Sequence, residues 1–141
     1  MHSYRKQTAR PILVDSHAHL ELEPLVDDPD AVVKRAADAG ISAIITVGID
    51  LQDAARALEL ADCFDMVFAS VGFHPHHAKD VGDRGLAEME QLARHPKVVG
   101  YGEIGLDFFR NLSPRAVQLG VFRDQLALAK QLQLPVVIHL R

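Results

Sequence analysis

Residues 11–20 read Pro-Ile-Leu-Val-Asp-Ser-His-Ala-His-Leu, a short apolar run that ends in a cluster of polar side chains. Four similar runs follow along the chain, so that the complete set covers residues 11–15, 42–48, 66–71, 98–102 and 135–139. Most of these runs are continuously apolar rather than alternating between apolar and polar residues. Continuous apolar runs are typical of strands that are buried on both faces of a parallel sheet. The sequence therefore predicts an α/β protein built around such a sheet.

Helical patterns with recognisable ends separate the apolar runs. Asp28, which is followed by a proline, is the predicted N-cap of a first helix. Asp50 is the predicted N-cap of a second. A third helix is predicted over about residues 83–95. The proline that follows residue 95 sets its predicted end. The fourth and longest helix is predicted to begin at Ser113. Its predicted buried stripe consists of four residues at helical spacing, namely Phe122, Leu126, Ala129 and Leu132.

The spacing of the predicted strands limits the choice of architecture. Successive strand ends fall on average about 31 residues apart, and a (β/α)₈ barrel of ~250 residues also divides into eight units of about 31. A doubly wound sheet has a similar repeat, so the spacing by itself is compatible with either architecture. On a barrel interpretation, the chain holds the first five strands and has no element after the fifth.

The composition narrows the class of protein. The 141 residues are 48% hydrophobic, which excludes intrinsic disorder because there is enough apolar surface to form a core. The net charge of −4 provides no general basic field, so binding of nucleic acid would have to depend on a local site. The single cysteine excludes a disulfide framework, and no apolar run is long enough to span a membrane. We therefore expect a cytoplasmic protein that has no membrane partner.

Side chains that bind metal ions occur at the ends of the predicted strands. His17 and His19 point to the same side of an extended chain, so both imidazoles can reach one ion. Glu103 and His139 occur at the ends of the fourth and fifth runs, and His74 lies just past the third. In parallel α/β folds the active site lies at the C-terminal ends of the strands, where these residues would meet. The alternative interpretation is that the histidines only form hydrogen bonds with carbonyl groups of loops.

Other polar residues near the strand ends have simpler interpretations. Asp15 points to the side of the strand opposite to the two histidines that follow it, so we expect a structural role. His76 and His77 lie in a predicted loop, where we expect surface side chains rather than ligands. Among the arginines that could contact phosphate, only Arg110 and Arg141 lie near predicted strand ends.

Four motifs in the chain resemble those of one known family. These motifs are Asp-Ser-His-Ala-His-Leu at residues 15–20, Gly-Phe-His-Pro at 72–75, Gly-Glu-Ile-Gly-Leu-Asp-Phe at 102–108 and Leu-Pro-Val-Val-Ile-His at 134–139. In this order, and together with the segment 115–130, they resemble the TatD family of metal-dependent deoxyribonucleases in the amidohydrolase superfamily. The resemblance covers residues 11–141.

The resemblance implies an α/β fold of the TIM-type (β/α) barrel class, of which only about the first five strands and four helices are present. Residues 11–141 would form the N-terminal part of this hydrolase barrel, and residues 1–10 would form a flexible extension. The family hydrolyses DNA, typically as a 3′–5′ exonuclease on single strands, with two divalent metal ions as cofactors. Magnesium or manganese is expected, although imidazole ligands also suit zinc.

The resemblance also assigns roles to individual residues. The implied ligands of the two ions are His17, His19, Glu103 and His139. Glu103 would bridge the ions and act as the catalytic carboxylate. His74 and Asp107 would line the substrate pocket, to which Arg141 adds a phosphate contact by its position at a strand end. The family also uses a histidine after strand six and an aspartate after strand eight, and the 141 residues do not reach those strands.

Two further hypotheses remain open from the sequence. The same superfamily ligand set cleaves amides, lactones and phosphotriesters, because a fold does not determine a substrate. Alternatively, five strands that cannot close a barrel would form a catalytically inactive half-barrel. The first and last strands would then be open edges, which favour self-association.

Overall fold

The computed structural model describes residues 12–141, which contain a sheet of five strands. The strands are β1 (Leu13–Ala18), β2 (Ile41–Gly48), β3 (Val67–Val71), β4 (Val98–Leu106) and β5 (Val136–Leu140). Neighbouring strands are all parallel, and their order in the sheet is the order along the chain. Sequential order is the arrangement of a (β/α) barrel, whereas the order of a doubly wound sheet reverses direction. The predicted extension, residues 1–10, lies outside the described residues.

Helices connect the strands and cover the outer face of this half-barrel. They are α1 (Pro29–Asp38), α2 (Leu51–Cys63), α3 (Gly85–Ala93) and α4 (Arg115–Leu132), with short 3₁₀ turns at Leu25–Asp27 and Pro75–Asp80. The two predicted N-caps are confirmed, since Asp28 accepts a hydrogen bond from the Ala31 amide and Asp50 accepts one from the Asp53 amide. Within residues 12–141, none of the helices is both long enough and apolar enough to cross a bilayer.

The main core lies between α2, α3 and α4 and the strands β3 and β4. Met89, Tyr101 and Ile104 are fully buried there. A smaller apolar cluster lies beneath α1 and includes Val33 and Ile44. The two clusters hold the helices against the sheet, so the C-terminal ends of all five strands form one rim.

The buried side of α4 differs from the predicted apolar stripe. Ala129 is buried as expected, but Leu126 is 37% exposed. Gln118 and Gln125 occupy the fully buried positions instead. A pattern that weighs only apolar residues cannot identify this side of the helix, because two polar residues form part of it.

Each of these glutamines pairs with a backbone segment that follows a strand. The Gln125 side chain accepts a hydrogen bond from the Phe73 amide at 2.7 Å and donates one to the Phe73 carbonyl at 3.0 Å. Gln118 makes the same pair of bonds with the amide and carbonyl of Asp107, at 2.8 and 3.1 Å. A primary amide supplies both an acceptor and donors, so it can satisfy a buried peptide group completely. The glutamines therefore hold in place the segments that follow β3 and β4.

Replacement of Gln125 tests this function of α4. We expect Gln125→Ala to lower the free energy of unfolding by about 1–3 kcal/mol, because the buried peptide groups of Phe73 would lose their partners. Gln131→Ala on the exposed side of the same helix should change it by less than about 0.5 kcal/mol. Urea denaturation of both variants measures the difference, and equal effects would contradict the role of Gln125.

The two edge strands expose apolar side chains. Ile12 is 83% exposed immediately before β1, and Leu140 is 78% exposed in β5. Val136 and Ile138 are also exposed on β5, as is Leu119 on α4. In the described part of the chain, β1 and β5 each pair with a neighbour on one side only. Unpaired strand edges beside apolar surface favour association with further polypeptide.

We therefore predict that the 141-residue chain self-associates through these edges. Light scattering on the purified chain should give a mass greater than one chain. A lysine at an edge opposes strand addition, so Ile138→Lys should shift the distribution toward the monomer. Ala87→Lys, at an exposed position of α3, serves as the control for added charge. A monodisperse wild-type monomer that unfolds cooperatively would refute this prediction.

Candidate metal centre

Glu103 lies between two histidines that come from the opposite edges of the sheet. One of its carboxylate oxygens is 3.4 Å from Nε2 of His17 on β1, and the other is 2.8 Å from Nδ1 of His139 on β5. Glu103 itself is inside β4, whereas the sequence placed it directly after the fourth run, because the glycines around it interrupt the apolar pattern. The curvature of the half-barrel thus brings three strands together at one carboxylate.

The donor atoms form two groups that share Glu103. One ligand atom from each of His17, His19 and Glu103 lies within 4.8 Å of the others. The same holds for His74, Glu103 and His139. Imidazole nitrogen and carboxylate oxygen are both ligands of divalent metals, and one carboxylate can offer an oxygen to each of two ions. The residues present therefore fit a pair of divalent ions, without selecting among zinc, manganese and magnesium.

The ring of His19 is fixed by a buried acid that the sequence analysis did not single out. Its Nδ1 lies 3.0 Å from the Val47 carbonyl and 3.0 Å from the carboxylate of Glu21, which is 1% exposed. A carbonyl oxygen only accepts, so Nδ1 carries the proton and Nε2 is the free ligand atom. The bond to Glu21, opposed by burial, raises the pKa of His19. Thr46 in turn donates to Glu21. A glutamate two residues after a histidine pair was the available signal.

Asp107 is a second buried acid, located behind His76 and His139. One oxygen is 2.7 Å from Nε2 of His76 and 3.2 Å from Nε2 of His139, and the other accepts from the Arg110 amide. Burial opposes ionisation of Asp107, but the bonds from the Arg110 backbone, His76 and His139 outweigh it. They hold the pKa of this carboxyl well below its usual range. Its side chain is fully buried, although the resemblance placed it among residues that line the substrate pocket.

His76 was expected at the surface rather than as a ligand. It belongs to neither donor group, but the surface position is wrong, since its side chain is only 22% exposed. Its ring lies 4.3 Å from the ring of His74 and its Nε2 contacts Asp107. The 3₁₀ turn at Pro75–Asp80 is held over the rim by Ser113, which donates a hydrogen bond to the His76 carbonyl and accepts one from the Lys79 amide. That connection joins residues 37 positions apart, which local sequence patterns cannot show. His77 was expected at the surface too, and its side chain is 35% exposed and lies near Asp50 and Asp80.

His74 lies between His76 and His139, and the three rings form a histidine cluster. Desolvation, with the neighbouring rings of His139 and His76, lowers the pKa of His74 to about 4, so the ring is neutral at neutral pH. Its Nδ1 accepts a hydrogen bond from the His76 amide at 3.2 Å. A neutral ring that accepts at Nδ1 carries its proton at Nε2, so in this arrangement Nε2 of His74 is a hydrogen-bond donor rather than a metal ligand. Glu103 and His139 then supply the free ligand atoms of the second group.

The two arginines occupy the same rim. The guanidinium of Arg141, which follows β5, lies 4.4 Å above the ring of Phe109, and the side chain is exposed. The backbone amide of Arg110 donates a hydrogen bond to the Asp107 carboxylate, and the side chain of Arg110 is also exposed. Asp15 is exposed and accepts a hydrogen bond from the His17 amide, so it stabilises the end of β1, where the histidine pair lies.

Two glycines of β4 permit the close approach of β5. A Cβ atom on Gly105 would lie 1.9 Å from the His139 carbonyl oxygen, and one on Gly102 would lie 2.4 Å from the Val137 carbonyl oxygen. Gly105 also has a backbone φ of +149°, which residues with a side chain rarely adopt. These glycines bring His139 within hydrogen-bond distance of Glu103.

A pair of alanine substitutions tests this packing constraint. We expect Gly105→Ala to lower the free energy of unfolding by about 2 kcal/mol or more, because both the clash and the backbone strain oppose folding. Gly120→Ala, in the middle of α4 with no atom near the added methyl, should raise it by up to about 1 kcal/mol. Chemical denaturation measures both, and a neutral Gly105→Ala would show that β5 is not held at this distance.

The sequence and the fold agree with one family. Residues 14–141 match the family described as TatD related DNase. The chain is 41% identical over 130 residues to the "Uncharacterized metal-dependent hydrolase YabD" of Bacillus subtilis, covering 92% of this chain and 51% of that protein. It is 44% identical over 115 residues to the "3′-5′ ssDNA/RNA exonuclease TatD" of Edwardsiella piscicida, covering 81% of this chain and 44% of that protein.

Solved structures show the same relationship. The crystal structure of YjjV, a TatD homologue from Escherichia coli K12, superposes with a TM-score of 0.84 at 36% identity, covering 90% of this chain and 50% of that one. A TatD family hydrolase from Entamoeba histolytica superposes with a TM-score of 0.85 at 28% identity, covering 92% and 50%. The fold is that of half of a TIM-type barrel, as in these TatD homologues. The chain belongs to the TatD related DNase family and spans about half the length of these relatives.

Proposed function

We propose that this chain takes part in metal-dependent hydrolysis of phosphodiester bonds in DNA, with a single-stranded 3′ end as substrate. The observation that carries the proposal is the pair of donor groups that share Glu103 at the rim of a TatD-family half-barrel. The name of one relative, an exonuclease on single-stranded DNA and RNA, supports the substrate class. Because the chain spans about half of its relatives, the activity of these 141 residues is itself part of the proposal.

In this proposal two divalent ions are the cofactors. His17, His19 and Glu103 would hold one ion, and Glu103 with His139 would hold the other. Such a pair supplies positive charge for a phosphate and lowers the pKa of water. This local charge would compensate for the net charge of −4, which otherwise disfavours binding of a polyanion.

The protein's own side chains would orient the substrate around this centre. Glu103 holds His17 and His139 at its two oxygens and so sets the separation of the two donor groups. Nε2–H of His74 would donate to a non-bridging phosphate oxygen. Arg141, stacked on Phe109 at the end of β5, would bind the next phosphate along the strand.

The single cysteine is consistent with a proposed cytoplasmic location.

The test is release of mononucleotides from single-stranded DNA in the presence of Mg²⁺ or Mn²⁺. We expect the wild-type chain to release them and Glu103→Gln to reduce the rate by about 100-fold or more, since it removes the shared negative ligand. His95→Ala is the matched control, because His95 lies at the end of α3 beside Asp62 and outside both donor groups. This control should keep the wild-type rate.

Three outcomes would overturn the proposal. A Glu103→Gln variant with wild-type nuclease activity would exclude Glu103 as the shared ligand. Hydrolysis of carboxylic esters or lactones, without release of nucleotides, would assign the same donors to another branch of the superfamily. Absence of hydrolysis in every assay would identify the chain as the inactive half-barrel.

A further inference from the structure

We propose that Asp107 is a positioning residue, which holds the Nε2 proton of His139 so that Nδ1 of His139 faces Glu103 as a free ligand atom. This inference rests on the metal centre of the proposed function and adds a residue that acts through His139 rather than on the substrate. It reassigns Asp107, whose side chain is fully buried and thus offers no surface to a DNA strand.

The two nitrogens of His139 contact two different carboxylates. Nδ1 is 2.8 Å from Glu103, and Nε2 is 3.2 Å from Asp107. A neutral imidazole has one donor and one acceptor nitrogen, so the atom that carries the proton determines which one can bind a metal. Metal-binding histidines commonly donate the remote N–H to a carboxylate, which orients the ring and increases its basicity. Asp107 occupies the position of that acceptor.

Asp107 cannot easily rotate away from this position. Its first oxygen is tied to the Arg110 amide at 2.7 Å, which leaves the second oxygen for His76 and His139. Its own peptide groups are held by the buried side chain of Gln118. The carboxylate is therefore fixed at both the backbone and the side chain.

His19 shows the same arrangement at the other side of the centre. The nitrogen of His19 that carries the proton contacts Glu21 and the Val47 carbonyl, so the opposite nitrogen is left free. Glu21 is also buried and is also held by a neighbour, Thr46. Two histidines at the ends of different strands thus have a buried carboxylate on one nitrogen, which supports a positioning role for both acids.

The substitution Asp107→Asn reverses the polarity of this contact. The Arg110 amide needs an acceptor, so the amide oxygen of the asparagine remains there and its NH₂ group replaces the second oxygen. That NH₂ group donates to Nε2 of His139, which moves the proton of a neutral ring to Nδ1. The free ligand atom would then be lost.

The first experiment detects this change without any metal. In a Glu103→Ala background, Nδ1 of His139 has no competing carboxylate, and nitrogen-15 NMR at a pH where the ring is neutral reports its tautomer. We expect the Nε2–H form with Asp107 and the Nδ1–H form in the Glu103→Ala/Asp107→Asn double variant. The same tautomer in both proteins would overturn the proposal.

The second experiment measures Zn²⁺ binding to the otherwise wild-type chain, by competition with a chromophoric chelator. Asp107→Asn should weaken binding by about 10–100-fold. His76→Ala removes the other partner of the same oxygen, and it should keep the affinity within about threefold, since Asp107 still contacts His139. Asp62→Asn, beside His95 at the surface, is the control for loss of one negative charge.

The two experiments separate this inference from the proposed function. Equal Zn²⁺ affinities for Asp107→Asn and the wild type would overturn the positioning role. No Zn²⁺ binding by the wild-type chain, together with the expected change of tautomer, would overturn the metal centre and leave the positioning role of Asp107 supported. A loss of affinity in His76→Ala as large as in Asp107→Asn would move that role from His139 to His76 and so contradict the proposal.

Discussion

The hydrogen bonds of the buried Asp107 connect most of the segments that surround the candidate metal centre. Its carboxylate joins the end of β4 to the 3₁₀ turn through His76 and to β5 through His139. Its peptide groups join β4 to α4 through Gln118. A buried ionised carboxylate is stable only when several donors surround it, and the Arg110 amide, His76 and His139 supply them. The position of the histidines therefore depends on one acid that solvent does not reach.

Three acidic side chains with different solvent exposure determine the charge distribution at the rim. Glu21 and Asp107 are buried and each contacts the outer nitrogen of a histidine, whereas Glu103 is partly exposed between the histidines. In the proposed arrangement, the unprotonated nitrogens of these histidines are directed toward Glu103. A divalent ion is the kind of charge that such a set of lone pairs and one carboxylate attracts. Under the proposed function, such an ion would also give this acidic chain a local site for a polyanion.

Much of the fold and part of the site could be predicted from local patterns. Apolar runs and capping residues such as Asp28 and Asp50 predicted the five strands and four helices, because these signals act over a few residues. The recurrence of His17, Glu103 and His139 at strand ends predicted one cluster, since parallel strands end at one rim. The stripe on α4 and the surface position of His76 were predicted incorrectly. Both errors involve polar groups that find partners on other segments.

The sequence by itself determined the family, the alternation of strands and helices and the residue types available at the rim. These properties depend on side-chain chemistry and on repeats along the chain. Only the tertiary structure decided the order of the strands, the burial of Glu21 and Asp107 and the inclusion of His76 in the cluster. Each of these depends on contacts between residues about 25 or more positions apart, such as Thr46 with Glu21 and Ser113 with His76. The chain must fold before such partners meet, so no local pattern records them.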